Sequence, residues 1–238
     1  MNVLIVHAHP EPQSFCTAMK DRMVSLFESM GHTVVVSDLY EKSFNPVASA
    51  ADFSKRANPD YLVYALEQRH AEKTGALPKD IATELALLNN ADLLILNFPL
   101  YWFSLPAILK GWIDRVFLSG VVYGGRNFYD RGLMRGKRAM LTFTLGGREH
   151  MFGPGSVHGG LNDLLKPVQQ GSLGYAGFEV LSPFAAYHVP YISPEAREQI
   201  LLDLDACIGG LDQRMSLPVP SLDHFDAQMN PLGDKPMA

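Results

Sequence analysis

The sequence predicts a doubly wound α/β fold: one five-stranded parallel sheet covered by helices on both faces, three layers in all, followed by a C-terminal extension. Two observations carry this. Five short runs are almost continuously apolar and rich in branched side chains, as strands buried on both faces must be; half-exposed strands would alternate. Longer segments between them repeat their apolar residues at helical spacing, and strands that alternate with helices imply a parallel sheet.

In chain order, NVLIVHA (2–8) is the first strand, and residues 14–30 form the helix that follows it, ended by Gly31. TVVVSDL (33–39) is the second strand. Residues 41–75 are polar, irregular and long for a loop, so they form a functional insertion or hold short helices. A second helix covers 77–91, DLLILNFP (92–99) is the third strand, and 105–120 is the next helix, whose Trp112, Ile113 and Phe117 belong to the core. AMLTFTLGG (139–147) is the fourth strand, ending in a glycine pair, and GFEVLSPFAAY (177–187) follows a helical segment as the fifth. A last helix runs from about 193 to 214, closing one domain over 1–214. Residues 215–238 lack apolar periodicity and are expected to lie over the surface or be partly disordered.

Composition narrows the partners. A chain of 238 residues, 47% hydrophobic, can bury the core of one large domain. With 20 basic and 25 acidic residues and no Lys/Arg run longer than a pair, it has no electrostatic footprint for nucleic acid or an anionic membrane. No uncharged apolar run is long enough to span a bilayer, and the start lacks a signal peptide's basic region, so a cytoplasmic protein is expected. Cys16 and Cys207 are too few for a disulfide framework, and no Cys/His set has zinc spacing, so no metal is expected.

In such a sheet a ligand sits beyond the carboxyl ends of the strands, and five strands favour the flavodoxin-like order over the six-stranded dinucleotide fold. That location selects HAHPEPQSF, the Asp38 turn, FPLYWF and TLGG. Neither G-x-G-x-x-G nor G-x-x-x-x-G-K-[ST] is present. Ser14 instead starts a helix and leaves the amides of Phe15, Cys16 and Thr17 for an anion, with His9 as an added donor. A plain helix cap and strand cap would explain Ser14 and His9 in isolation; their place at a strand end favours the anion site. The glycines of TLGG let backbone amides approach a flat ligand, although a glycine pair alone is only a turn. Tyr101, Trp102 and Phe103 stand in the turn before Pro106, outside strand and helix. Amides on one side and ring faces on the other suit a planar heterocycle such as an isoalloxazine.

Several stretches carry a family resemblance: LIV-x-AH with SF-x-x-AMK, SDLY-x-x-x-FNP (37–46), FPL-x-WF-x-x-PAILKGW (98–112), the Thr144–Gly147 turn, and VHGGLN with P-x-Q-x-G (157–171). Over about residues 2–214 the chain resembles the flavin-dependent NAD(P)H:quinone oxidoreductases, the DT-diaphorase family with its flavodoxin-like fold. The resemblance implies FAD, with its diphosphate at His9, Ser14, Phe15, Cys16 and Ala18 and its isoalloxazine on Leu100, Tyr101, Trp102 and Phe103. Thr144, Leu145, Gly146 and Gly147 would approach the ring's polar edge, and Arg197 matches a position associated with the cofactor. It also implies a homodimer with the site at the subunit boundary, where a quinone, or the nicotinamide of NADPH or NADH, stacks on the flavin. Trp102, Phe103, Tyr123, Phe128, Phe152, His158 and Tyr175 are the candidate walls of that pocket.

The resembling enzymes pass a hydride from NAD(P)H to flavin and then from flavin to quinone, in ping-pong order. The protein aligns the rings and stabilises charge on the reduced flavin, through backbone amides such as those of Gly146 and Gly147 and through a tyrosine and a histidine. Here the histidine is His158, but Phe152 stands at the tyrosine's position and has no hydroxyl to donate. His158 is therefore expected to dominate, with Phe152 only a wall. Tyr123-Gly124-Gly125 is a second departure and implies a wider pocket, while residues 41–75 align too poorly to carry over any adenine contact. The alternatives are a nitro- or azo-reductase using FMN or FAD, a flavodoxin-type electron carrier, and a regulatory ancillary subunit of a potassium-efflux system. The modest charge argues against the carrier, and the residues after about 188 argue against the generally shorter subunit.

Overall fold

The computed structural model describes residues 1–233; the expectation for the tail at 234–238 lies outside the described residues. The strands are β1 Asn2–His7, β2 Thr33–Asp38, β3 Leu93–Pro99, β4 Arg138–Thr144, β5 Glu179–Val180 and β6 Phe184–Ala186. The helices are α1 Phe15–Ser29, α2 Tyr64–Lys73, α3 Lys79–Asn90, α4 Ala107–Val116, α5 Leu161–Val168 and α6 Pro194–Gly209. All strand pairs are parallel, in the order β2-β1-β3-β4-β5, with β6 also on β4. The chain winds outward to β2, then crosses back over β1 to β3, and that reversal opens a crevice at the strands' carboxyl ends.

β1, β3 and β4 are buried on both faces and so have no polar side over most of their length, whereas β2, at the sheet's edge, alternates and leaves Val35 exposed, unlike the doubly buried strand its apolar run implies. On one face Val3, Ile5, Leu93, Ile95 and Met140 pack under Met19 and Phe27 of α1 and Ile208 of α6. On the other, Leu4, Val6, Leu94, Leu96 and Leu141 pack under Leu88 of α3, Trp112 of α4 and Leu165 of α5. Trp112 is a core residue, as its spacing implies, and its indole N–H donates to the buried Glu84 carboxylate at 2.8 Å. The first face changes character at the carboxyl ends, where His7, Asn97 and Thr142 replace apolar side chains as cross-strand neighbours in one row.

The single fifth strand expected over 177–187 is instead two pieces. Glu179–Val180 pairs with the start of β4 and Phe184–Ala186 with its end, and the chain bows out between them. Pro183 has no N–H to give the ladder, and the C-terminal segment supplies other partners: Ser182 N–H donates to Met215 O at 2.9 Å, and Arg214 donates to the Ser182 and Pro183 carbonyls, each at 2.5 Å. The last helix is also shorter than expected, stopping at Gly209 before a 3₁₀ turn over Leu211–Gln213. Beyond it the described tail lies over the surface, tied to the Asp130 carboxylate by Ser221 Oγ at 2.6 Å and Leu222 N–H at 3.1 Å.

Residues 41–75 hold a short 3₁₀ turn, Ala50–Asp52, and α2. A buried ion pair fixes them to α4. Arg115 donates Nη2 and Nε to Asp52 at 2.7 and 3.2 Å, and Nη1 to Asp80 at 2.6 Å and to Asn45 O at 2.8 Å. Burial alone would raise the Asp52 carboxyl, but hydrogen bonds from Arg115 and Tyr64 outweigh it and hold it below its ordinary value. Gly111 of α4 is required here, since a Cβ would overlap the Pro46 backbone.

Candidate active site

The first wall of the crevice is the N-terminus of α1. Ser14 caps the helix and accepts from Thr17 N–H at 3.1 Å, so the Thr17 amide is already satisfied. Ala18 N–H donates to Ser14 O at 3.0 Å and is closed to an anion as well. The amides of Phe15 and Cys16 remain, with no acceptor among the described residues. His9 accepts from Glu11 N–H through Nδ1 at 3.0 Å, which puts the proton of the neutral ring on Nε2 as a donor. Burial lowers its pKa and favours that neutral form.

Below the helix end, the polar row seats α1 on the sheet. Asn97 Nδ2 donates to His7 Nδ1 at 2.9 Å and to Cys16 O at 3.0 Å, while its Oδ1 accepts from Thr142 Oγ1 at 3.1 Å and from the Cys16 thiol at 3.6 Å. His7 Nε2 meets Thr17 Oγ1 at 3.3 Å. Burial pushes His7 down to about 4 and Cys16 up to about 12, so both are neutral near pH 7. A thiol so held is a packing and hydrogen-bonding group, not a nucleophile.

The second wall is the aromatic turn. Tyr101 N–H donates to Ser104 O at 3.0 Å and Ser104 N–H to Tyr101 O at 2.9 Å, closing a two-residue hairpin around Trp102 and Phe103. Both central residues have left-handed φ, 50° and 57°, the pattern of a type I′ turn that normally carries Asn-Gly. A bulky side chain there costs on the order of 1–2 kcal/mol. Trp102 is 95% exposed, so packing within this chain does not offset that cost.

The third wall is the turn after β4. The Gly146 and Gly147 amides have no acceptor among the described residues. At Gly147 a Cβ would lie 2.9 Å from the Phe152 ring, so a side chain there would have to displace that ring.

Together these walls enclose a cavity of about 440 Å³. The structure brings His9, Ser14, Phe15 and Cys16 from the first wall, Leu100 and Tyr101 from the second, and Thr144, Leu145 and Gly146 from the third into its lining. Arg197, in the first turn of α6, completes it; its Nη2 donates to Val189 O at 3.2 Å, and its Nε is buried without a partner. Gln13 and Pro99, inside the selected HAHPEPQSF and FPLYWF stretches, also line it, as do Val189 and Pro190, which carry no signal in the linear sequence. Other depressions, including one of about 590 Å³ beside the C-terminal segment, lie away from the carboxyl ends of β1, β3 and β4.

The remaining expected residues fall outside this lining. Ala18, Trp102, Phe103 and Gly147 are not among its lining residues. Phe103 joins Phe152 and His158 in one aromatic set, with ring centroids 5.1 Å apart for Phe103–His158 and Phe152–His158. Tyr123, Phe128 and Tyr175 form another, where Phe128 stacks on Tyr175 at 5.2 Å and Tyr123 meets Tyr175 at 5.9 Å. Tyr123 and Tyr175 line a separate depression of about 200 Å³ beside α4. A single chain therefore does not gather all seven candidate wall residues into one pocket.

A family model described as a flavodoxin-like fold matches residues 1–207, nearly the whole sheet and its helices. The chain belongs to this flavodoxin-like family. Within it, the chain is 42% identical over 201 residues to a Rattus norvegicus protein named ribosyldihydronicotinamide dehydrogenase (quinone), covering 84% of this chain and 87% of that one. It is 42% identical over 199 residues to the Cavia porcellus protein named NAD(P)H dehydrogenase (quinone) 1, covering 83% and 72%. A solved structure from Klebsiella pneumoniae, provisionally described as a quinone reductase, superposes with a TM-score of 0.89 at 33% identity, over 97% of this chain and 93% of that one. Among the described residues of this flavodoxin-like chain, no His, Cys, Asp and Glu group could hold a metal, and no helix is long and apolar enough to cross a membrane.

Proposed function

We propose that this chain is an NAD(P)H-dependent flavoprotein that reduces quinones by two-electron hydride transfer, with FAD in the strand-end crevice. The observation that carries the proposal is the set of unpaired donors in one cavity: the Phe15 and Cys16 amides and the buried Arg197 Nε. A buried guanidinium nitrogen without a partner is rare in a folded chain and is accounted for by an anionic ligand. Donors on both α1 and α6 suit a diphosphate, as in FAD, better than the single phosphate of FMN. Relatives named for quinone reduction support the choice of substrate.

When bound, the flavin would accept a hydride from NADPH or NADH and return it to the quinone. The chain's own residues bind, align and exclude. Leu100 and Tyr101 would form the bed for the ring, and the unpaired Gly146 and Gly147 amides would supply preset donors to stabilise developing charge on its polar edge. His158, beside Phe103 and Phe152, is the candidate proton partner. The exposed Trp102 and the distant Tyr123, Phe128 and Tyr175 set support a homodimer in which a second copy closes the substrate pocket. The buried, hydrogen-bonded thiol of Cys16 is compatible with a reducing cytoplasm.

Releasing the flavin from purified protein and identifying it by chromatography tests the proposal. FAD in near-equal amount to the chain is expected; a colourless chain that takes up no flavin overturns it.

A further inference from the structure

The turn after β4 is gripped from one side. Three successive carbonyls are held by residues 188 and 189: Val189 N–H donates to Leu145 O at 3.2 Å, the His188 ring Nδ1 lies 2.8 Å from Gly146 O, and His188 N–H donates to Gly147 O at 2.9 Å. A carbonyl oxygen only accepts, so Nδ1 carries a proton in this bond.

In a trans peptide the C=O and the following N–H point in opposite directions. Fixing the carbonyls of Leu145 and Gly146 toward β6 therefore turns the Gly146 and Gly147 amides the other way. Because β4 lies between β3 and β6, the other way is toward Leu100 and Tyr101 at the end of β3. His188 makes two of the three bonds from a left-handed backbone, φ 56°, with its ring 4.9 Å from Tyr191. Residues other than glycine are uncommon in that conformation, histidine less so than most, and the ring bond gives a reason for one here.

We propose that His188 is a positioning residue for the redox reaction. Its ring bond to Gly146 O orients the peptide that presents the Gly147 N–H, and so fixes the donor pair that stabilises negative charge on the reduced ring's polar edge. The assignment rests on the flavin reading above.

The test compares His188→Gly, which accepts the left-handed φ but has no ring, with His188→Asn, which accepts the same φ and keeps a side-chain N–H. The readouts, on flavin-loaded protein, are the dissociation constants of oxidised and reduced flavin and the midpoint potential against a reference dye. In His188→Gly the preference for reduced over oxidised flavin should fall about tenfold, a midpoint about 30 mV lower for a two-electron couple. His188→Asn should stay within about threefold of the parent preference, a shift below about 15 mV. An unchanged midpoint in flavin-loaded His188→Gly overturns the assignment, as do equal shifts in the two variants. A parent chain that binds no flavin at all overturns the underlying reading and this assignment with it.

Discussion

Asn97 Nδ2 donates to Nδ1 of His7 at 2.9 Å, and both side chains are closed off from water. Protonating His7 would set an Nδ1–H against the Asn97 N–H, two donors facing each other with no room to turn. Burial outweighs the opposing pull of Asp38 and Asp21, with Lys20 and His9 adding to it, and lowers the pKa from 6.5 to about 4. Stability is therefore complete above about pH 6.5 and is lost as pH falls toward 4, because the unfolded chain takes up the proton first. The loss from this residue is on the order of 3 kcal/mol. His7→Leu should escape most of that loss between pH 7 and pH 4.5, read from urea midpoints; identical pH profiles would refute this account of the row.

The Arg115–Asp52 pair holds residues 41–75 to α4. Arg115→Met leaves a buried carboxylate without its partner and is expected to cost about 3–5 kcal/mol in denaturant unfolding. Adding Asp52→Asn to Arg115→Met should recover a large part of that loss, since the uncompensated charge is gone.

The Trp102–Phe103 turn trades stability for contact surface. Trp102→Asn tolerates left-handed φ and gives up no internal packing, so the flavin-free chain should gain about 0.5–1 kcal/mol. Quinone kcat/KM should fall by about tenfold or more as the stacking indole is lost. A variant that is both less stable and fully active would contradict this view of the turn.

His158 packs on Phe152, which carries no hydroxyl. His158→Gln is expected to slow anaerobic flavin reduction in stopped-flow by about tenfold or more, within the usual range for a proton-transfer partner. Phe152→Tyr should speed it, because a phenol would stand beside the same ring. Unchanged rates in both variants would remove this corner from the chemistry.

The first four strands are legible in the sequence to within a few residues: burial on both faces makes β1, β3 and β4 nearly continuous in apolar residues, and the edge strand β2 shows itself by its branched Val34–Val36 run. The break at Pro183 is less so: it depends on Arg214 and Met215, which arrive from the C-terminal segment. Residues 41–75 are likewise ordered by Arg115, from a helix much later in the chain. At the site, Ser14, Phe15, Tyr101 and Gly146 announce themselves by residue type at a strand end. Asn97 acts only through register, which sets it between His7 and Thr142. Its one trace in the sequence is a lone polar residue late in an apolar run. His188 leaves no trace, since its role comes from a left-handed backbone that nothing in its neighbours demands.

The most direct measurement is anaerobic stopped-flow mixing of the purified protein with NADPH or NADH, then with a quinone. The account predicts that bound flavin bleaches with the nicotinamide, recovers its colour with the quinone, and gives parallel double-reciprocal lines in steady state, as one shared pocket requires. Protein without flavin, or flavin that neither nicotinamide reduces, would contradict it.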